Sequence, residues 1–524
     1  MSYDTARPYN PEQVFSGWYV DNTPENSLND KFSPYLRNAR LDWTAIINRP
    51  GHTLFQTLTA WTYPRGIWSY LRSVSTNDRI IVRHNTDATH KLYTVEEDWT
   101  ATSIVTSTGI SSDDRMNYLN IGDVIYCMNG SDDYGKLNWI TYTTPSTWIT
   151  NFAPSFAISF NGSCFASWWS THSNIVYKSE WDNYEKFNWS GSDTFTFEEN
   201  ITWLAVNNQS LFYFTKNTIS VTGKWDIQDI WGTINYLTRP LTVKEWAVNY
   251  SSIVNVGTNI YYWTPSNKIS KIARGANIDW FEVQEISDRK YAWLDGIMKT
   301  LDLDQTDSFG YYLPENDLIK WFVKSINSTF NDVCIIYDVS KDAFLIDDNK
   351  YFYWGVNFKG KNYTISMIEP KIYQDEYWSD DEDAAISFIY ETKYFDLQVP
   401  QTKKELWSSD TYIAINDLAS LTQQIIIDGN SIDTKIINSD NIPISISWIW
   451  TKSIWTYWVW TWWGYSGDSW LYNIVIRRTK WDLQSKWYKV KFLFIDSEIW
   501  SKIRLETLSM RLEILPMEAN NLTI

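Results

Sequence analysis

Glycine is scarce in this chain: there are 20 in 524 residues, where the usual share of about 7% would give nearly twice as many. A chain short of glycine should be short of tight reversals, because a left-handed backbone costs glycine nothing and costs a residue with a Cβ a good deal. Cysteine is scarcer still. Cys127, Cys164 and Cys334 are far apart and each lies in an apolar stretch. An odd count without short spacing argues against a disulfide framework and a zinc site, leaving three small buried hydrophobes. The four histidines, His52, His84, His90 and His172, are too scattered for a ligand set. His84 and His90 flank RHNTDATHK, which reads as a hairpin. No stretch reaches the roughly 18 uninterrupted apolar residues that a membrane helix needs. The opening MSYDTARPYNPEQ has no apolar run behind a basic start, so neither a secretory signal nor membrane insertion is expected. Basic charge is also missing. The net charge of −17 disfavours an outer surface that grips nucleic acid, which would need lysines and arginines to displace counterions. No Walker loop, nucleophile elbow or dinucleotide fingerprint is present.

Tryptophan, in contrast, is abundant, at 33 residues. It follows Asp or Asn at Trp43, Trp99, Trp139, Trp189 and Trp280, and stands in turn-like contexts at Trp181 (SEWDN), Trp225 (GKWDI), Trp481 and Trp487. Asp-Gly and Asn-Gly are strong hairpin signals, whereas Asp-Trp and Asn-Trp are none. Ile454–Trp470, which includes Trp458, Trp460 and Trp462, becomes an ordinary flexible loop if its tryptophans are read as glycine. The excess of one letter and the deficit of the other point to a codon translated as tryptophan that the source decodes as glycine. The suspected glycine positions are Trp43, Trp99, Trp139, Trp181, Trp189, Trp225, Trp458, Trp460 and Trp462. Trp321, in LIKWFVKS, fits an amphipathic strand and is taken as genuine. The alternative is that every indole is real and forms a carbohydrate-stacking or hydrophobic surface.

Period-two alternation of β-branched and aromatic residues predicts strands almost throughout and few helices. A polar turn followed by an apolar strand recurs at Val82, Tyr126, Phe165, Phe212 and Tyr262, with a further copy ending at Tyr337. Repeats of about 40 to 50 residues carrying about four strands are the pattern of β-propeller blades. The expected fold is all-β: an extended arm over 1–50, rich in proline; a propeller-like core over 51–395; and a β-sandwich-like unit over 396–524. The acidic run DEYWSDDED (Asp375–Asp383) reads as a solvated, self-repelling loop rather than a calcium loop.

RNARLDWTAIINRPGHTLF (Arg37–Phe55) and YPRGIWSYLRS (Tyr63–Ser73) resemble the opening of the tail nozzle, tubular and packaged-DNA stabilisation proteins of short-tailed bacteriophages. The matching residues are Asn38, Arg40, Arg49, Pro50 and Gly51. The similarity continues through Pro154–Asn188, with an Asn161–Gly162 hairpin and a turn of the form Ser-Glu-x-Gly-x-Pro-x-x-Phe. Trp181 is assigned to its glycine and Tyr184 to its proline. Ile201–Val221, Ile336–Asp348 and Thr392–Leu406 extend it. The resemblance implies a non-enzymatic virion tail protein without cofactor or metal. It implies subunits that form rings, often six-fold, below the portal, touch portal, adaptor and other tail proteins, and let double-stranded DNA pass. A carbohydrate-binding or glycan-degrading propeller is the alternative.

Overall fold

The computed structural model describes residues 12–14, 35–42, 45–58, 64–73, 78–86, 89–95, 101–106, 115–138, 141–145, 147, 149, 151–167, 173–187, 194–207, 210–223, 227–230, 233–243, 246–248, 250–266, 268–275, 281–287, 297–302, 308–377, 380–392, 404–415, 420–428, 430–438, 475–487, 490–496, 498 and 503–514. Two compact units divide the chain. One comprises Met1–Thr53, Ala343–Asp347 and Glu376–Ile524; the other comprises Leu54–Asp342 and Asp348–Asp375.

Seven four-stranded antiparallel sheets follow one another along the chain. Their first strands are Pro64–Tyr70, Asn117–Ile121, Phe156–Phe160, Ile201–Asn207, Val254–Val256, Phe309–Leu313 and Phe352–Phe358, numbered here as blades 1 to 7. Each first strand packs against the first strand of the next sheet, and Phe352–Phe358 packs back on Pro64–Tyr70. A closed circle of inner strands makes this a seven-bladed β-propeller. Blade 7 is completed out of sequence: its order is Phe352–Phe358, Lys361–Ser366, Lys371–Asp375 and then His52–Thr57. A strand from before blade 1 thus closes the ring. Blade 4 carries an inserted hairpin, Ile227–Ile230 with Thr233–Tyr236, ahead of its outer strand Arg239–Val243.

The second strand of a blade lies between two neighbouring sheets, so its two faces are both covered. Ser210–Thr215 (SLFYFT), Ser163–Ser167 (SCFAS) and Leu318–Lys324 (LIKWFVK) are buried on both faces, except for a half-buried Lys324. Outer strands such as Thr141–Thr143 and Thr194–Thr196 expose alternate residues. Trp321 is therefore a two-sided core residue and not part of an amphipathic strand. Its ring lies over its cross-strand partner Gly310, where an added Cβ would come within 2.4 Å of Cδ1. Its Nε1 donates to the Ser252 carbonyl at 2.8 Å.

Val82, Tyr126, Phe165, Phe212 and Tyr262 fall on the second strands of blades 1 to 5, so those repeats are in register. Tyr337 lies on the third strand of blade 6, Asn331–Asp338. The true equivalent is Leu318–Lys324, which follows a Pro-Glu-Asn-Asp turn at 314–317.

The other unit contains two antiparallel sheets. One orders Ala39–Asp42, Ala45–Asn48, Ile503–Ile514, Lys404–Ile415 and Val475–Trp487, with Glu12–Val14 paired to Ile503–Ile514. The other orders Tyr35–Arg37, Phe388–Glu391, Val490–Asp496, Ser420–Ile427 and Asn430–Asn438. Strict alternation along Ser420–Ile427 buries Leu421, Gln423, Ile425 and Ile427, as a sheet with one covered face requires. Residues 35–48 correct the expectation of an extended arm. They are three strands: Tyr35–Arg37 pairs with Phe388–Glu391, Ala45–Asn48 with Ile503–Ile514, and Ala39–Asp42 with Ala45–Asn48, and Leu36, Ala39, Leu41, Ala45 and Ile46 bury there. The propeller unit accordingly begins at Leu54 and ends at Asp375.

Candidate functional site

Five of the residues that carry the family resemblance meet in one place. Asn38 breaks between two strands with a φ of 53°, a left-handed angle that asparagine tolerates. The Arg49 main-chain N–H donates to the Asn38 carbonyl at 2.9 Å, and Arg49 Nε donates to Asn38 Oδ1 at 3.0 Å. Asn38 Nδ2 in turn donates to the Ser387 carbonyl at 2.6 Å. Arg40 forms a two-pronged pair with Asp347, at 2.8 and 2.6 Å, and reaches Glu376 Oε1 at 2.5 Å. Arg49 is paired to both oxygens of Asp381, and His52 Nδ1 lies 2.7 Å from Asp381 Oδ1. Planar guanidinium forks suit such bidentate pairing.

Pro50 leads into Gly51, which is packed so closely that an added Cβ would stand 1.7 Å from the Asp380 carbonyl oxygen. That oxygen also accepts from the His52 N–H at 3.0 Å. Burial opposes the Arg40 charge, but Asp347 and Glu376 outweigh it and hold its pKa well above the usual value. Burial, helped by Asp383 and Asp381, raises the Asp380 carboxyl. Its Oδ2 has no hydrogen-bond partner. Four carboxylates of the acidic run correct the expectation of a solvated loop: Asp375, Glu376, Asp380 and Asp381 are withdrawn from solvent and three of them answer cations, whereas Tyr377 and Asp383 are exposed. The sequence could not pair Glu376 and Asp381, because their partners Arg40 and Arg49 lie more than 300 residues away.

The propeller has a second buried ion network. Lys320 Nζ pairs with Asp375 Oδ2, and Lys350 Nζ lies 2.9 Å from Asp375 Oδ1; all three side chains have no solvent exposure. Burial works against the Asp375 charge, yet the two ammonium groups hold its carboxyl far below the usual range.

The third cluster gathers around Arg115, just ahead of the inner strand of blade 2. The Arg115 guanidinium carbon sits 4.0 Å from the Trp354 ring centroid, 5.1 Å from Tyr353, 5.2 Å from Phe309 and 5.9 Å from Tyr250. Its Nη1 donates to the Ser308 carbonyl at 3.2 Å. These residues lie at or just before the start of the inner strands of blades 2, 5, 6 and 7, so one cation stacked on aromatic faces ties four blades together. Sequence reasoning missed it; a lone arginine before NYLNI carries no local signal.

Asn161 and Gly162 lie elsewhere, as the two-residue reversal of blade 3, with φ of 49° and 78°. Of the suspected glycine positions, Trp43, Trp99, Trp139, Trp189, Trp225, Trp458, Trp460 and Trp462 lie outside the described residues. Trp181 is described, and no left-handed angle falls on it. Counting Ser-Glu-x-Gly from Ser179 puts the glycine at 182, and Asp182 has the positive φ, 55°. Trp181 is 65% exposed, with its ring against Gly162. Trp263, Trp321 and Trp354 are buried. Among the described residues no group of three or more His, Cys, Asp or Glu side chains could hold a metal ion.

No protein-family model matches the chain, and no curated protein matches it. Solved structures do. YCF48 bound to a D1 peptide has 10% identity and a TM-score of 0.39, over 63% of this chain and 97% of that one. The computationally designed Ika8 protein has 9% identity and a TM-score of 0.35, over 62% and 99%. PorZ, a surface component of the type-IX secretion system of Porphyromonas gingivalis, has 7% identity and a TM-score of 0.32, over 61% and 50%.

Proposed function

We propose that this chain is a structural subunit of the tail of a short-tailed bacteriophage, assembling with copies of itself into a ring below the portal. It acts there as a non-enzymatic guide for packaged DNA. The observation that supports this most is the convergence of Asn38, Arg40, Arg49 and Gly51. Of the residues through which the sequence resembles that family, Asn38, Arg40 and Arg49 share one buried network of ion pairs and hydrogen bonds, with Gly51 packed beside it. The resemblance therefore lies in residues that determine structure, as it should in a family defined by architecture rather than by chemistry.

The net charge of −17 suits a wall past which a polyanion slides without sticking. Arg115 and its aromatic neighbours join the inner strands of blades 2, 6 and 7. In this proposal DNA passes through the opening of the ring of subunits and not along the axis of any one propeller.

The test is the assembly state of purified protein, by light scattering and negative-stain imaging, alone and with portal and adaptor proteins. Closed rings, or capture by the portal complex, support the proposal. A stable monomer that ignores the portal and binds glycans overturns it.

A further inference from the structure

The described strand pairs define ten places where the chain reverses with only two residues between hydrogen-bonded partners: 43–44, 87–88, 122–123, 139–140, 161–162, 208–209, 231–232, 257–258, 359–360 and 428–429. Such a reversal matches the twist of its strands only when its first residue, or both residues, take a positive φ. The protein obeys this wherever that first residue is described. Gly122, Asn161, Gly257, Lys359 and Asp428 have φ of 58°, 49°, 58°, 50° and 48°.

These five reversals also share a rule of composition. Glycine comes first in Gly122–Asp123 and Gly257–Thr258, and second in Asn161–Gly162, Lys359–Gly360 and Asp428–Gly429. Asp87–Ala88 and Asn208–Gln209 open with the two residue types that tolerate the left-handed region best after glycine. Three reversals remain, and all three open with tryptophan: Trp43–Thr44, Trp139–Ile140 and Trp231–Gly232. The first two hold no glycine at all. The second residue of each is β-branched, the type least suited to relieve the demand. Asp42 pairs with Ala45 and Asn138 with Thr141, so only two residues separate the paired positions in each case.

We infer that positions 43, 139 and 231 are glycine in the protein as its source makes it, through a glycine-charged tRNA reading a codon that the printed sequence renders as tryptophan. Trp43–Thr44 then becomes the counterpart of Gly257–Thr258, and Trp139–Ile140 a second reversal of that kind. The inference is selective. Trp263 and Trp321 sit inside strands and fill the core, and Trp181 is not at the left-handed position of its turn, so none of these is assigned to glycine.

Mass-spectrometric sequencing of the protein from its natural source tests this directly. Glycine is expected at 43, 139 and 231, with tryptophan at 263 and 321 in the same digest. Peptides carrying tryptophan at 43 and 139 overturn the inference. A recombinant chain gives an independent arm: Trp43→Gly and Trp139→Gly are each expected to raise Tm, whereas Trp321→Gly lowers it sharply. A fall in Tm for both loop variants would equally overturn it.

Discussion

Asp375 shows how one carboxylate can be fully buried and still ionised. Two lysines, Lys320 and Lys350, face it, and nothing of the three side chains reaches solvent. Replacing Asp375 with Asn leaves two ammonium groups without their common anion, and breaking a buried pair in this way costs about 3–5 kcal/mol. Chemical denaturation should read that loss. The native carboxyl is held below its unfolded value of about 3.9, so its contribution is complete above that pH and erodes as pH falls further. Asp380 has the opposite sign. Burial raises its carboxyl and its Oδ2 has no partner, so the native state binds a proton more tightly than the unfolded chain does. Its penalty grows as pH rises from about 3.9 through the native value. Asp380→Asn is therefore expected to raise Tm at neutral pH and to leave it unchanged below about pH 3.5, which a Tm series against pH would check. Neither environment was legible in DEYWSDDED, because a run of like charges gives no hint of cations that arrive from residues 40, 49, 320 and 350.

At the scale of single strands, the second strand of each blade explains what sequence patterning can and cannot detect. Alternation is visible in outer strands such as Thr141–Thr143 and in Ser420–Ile427. It misjudged Leu318–Lys324, whose polar letters suggested one wet face although Lys320 is fully buried. The polar group there is an ion-pair member, and period-two logic assigns any lysine to water. The repeat phase was legible for blades 1 to 5, where the matches fall on second strands, and it slipped at blade 6, where the match fell on the third strand, Asn331–Asp338. Close inter-strand fits give the sharpest test. Gly310 lies beneath Trp321, and Gly51 lies against the Asp380 carbonyl. Gly310→Ala meets a large ring that can shift slightly and should cost about 1–3 kcal/mol, as overpacked cores do. Gly51→Ala meets main chain, which cannot move aside without breaking the His52 hydrogen bond, and is expected to cost more. Paired urea titrations of the two variants would rank them; equal costs would show that the Gly51 contact is not the tighter one.

For the whole propeller, closure is the decisive feature. Blade 7 takes its last strand from His52–Thr57, so the two ends of the ring are joined by hydrogen bonds rather than by a peptide link. Each blade buries its faces only against its neighbours, which makes an open ring a chain of half-exposed sheets. Three free cysteines report on this without added labels. Cys127 lies in blade 2, Cys164 in blade 3 and Cys334 in blade 6, all buried. Burial pushes the Cys127 and Cys164 thiols up to about 12, so at neutral pH they are protonated as well as inaccessible, and only the thiolate reacts. The intact chain should therefore resist alkylation until it unfolds, with all three sites becoming reactive in one transition. The double substitution Leu54→Pro, Gln56→Pro disrupts the closing strand alone, because proline cannot donate to a strand ladder. If closure holds the ring together, thiols in blades far from the disrupted strand should become reactive along with those beside it, and blade 2 and blade 3 should lose protection together with blade 6. Alkylation confined to Cys334, the thiol nearest the disrupted strand in blade order, would mean instead that the blades stand as separate pairs and that the circle contributes little to their stability.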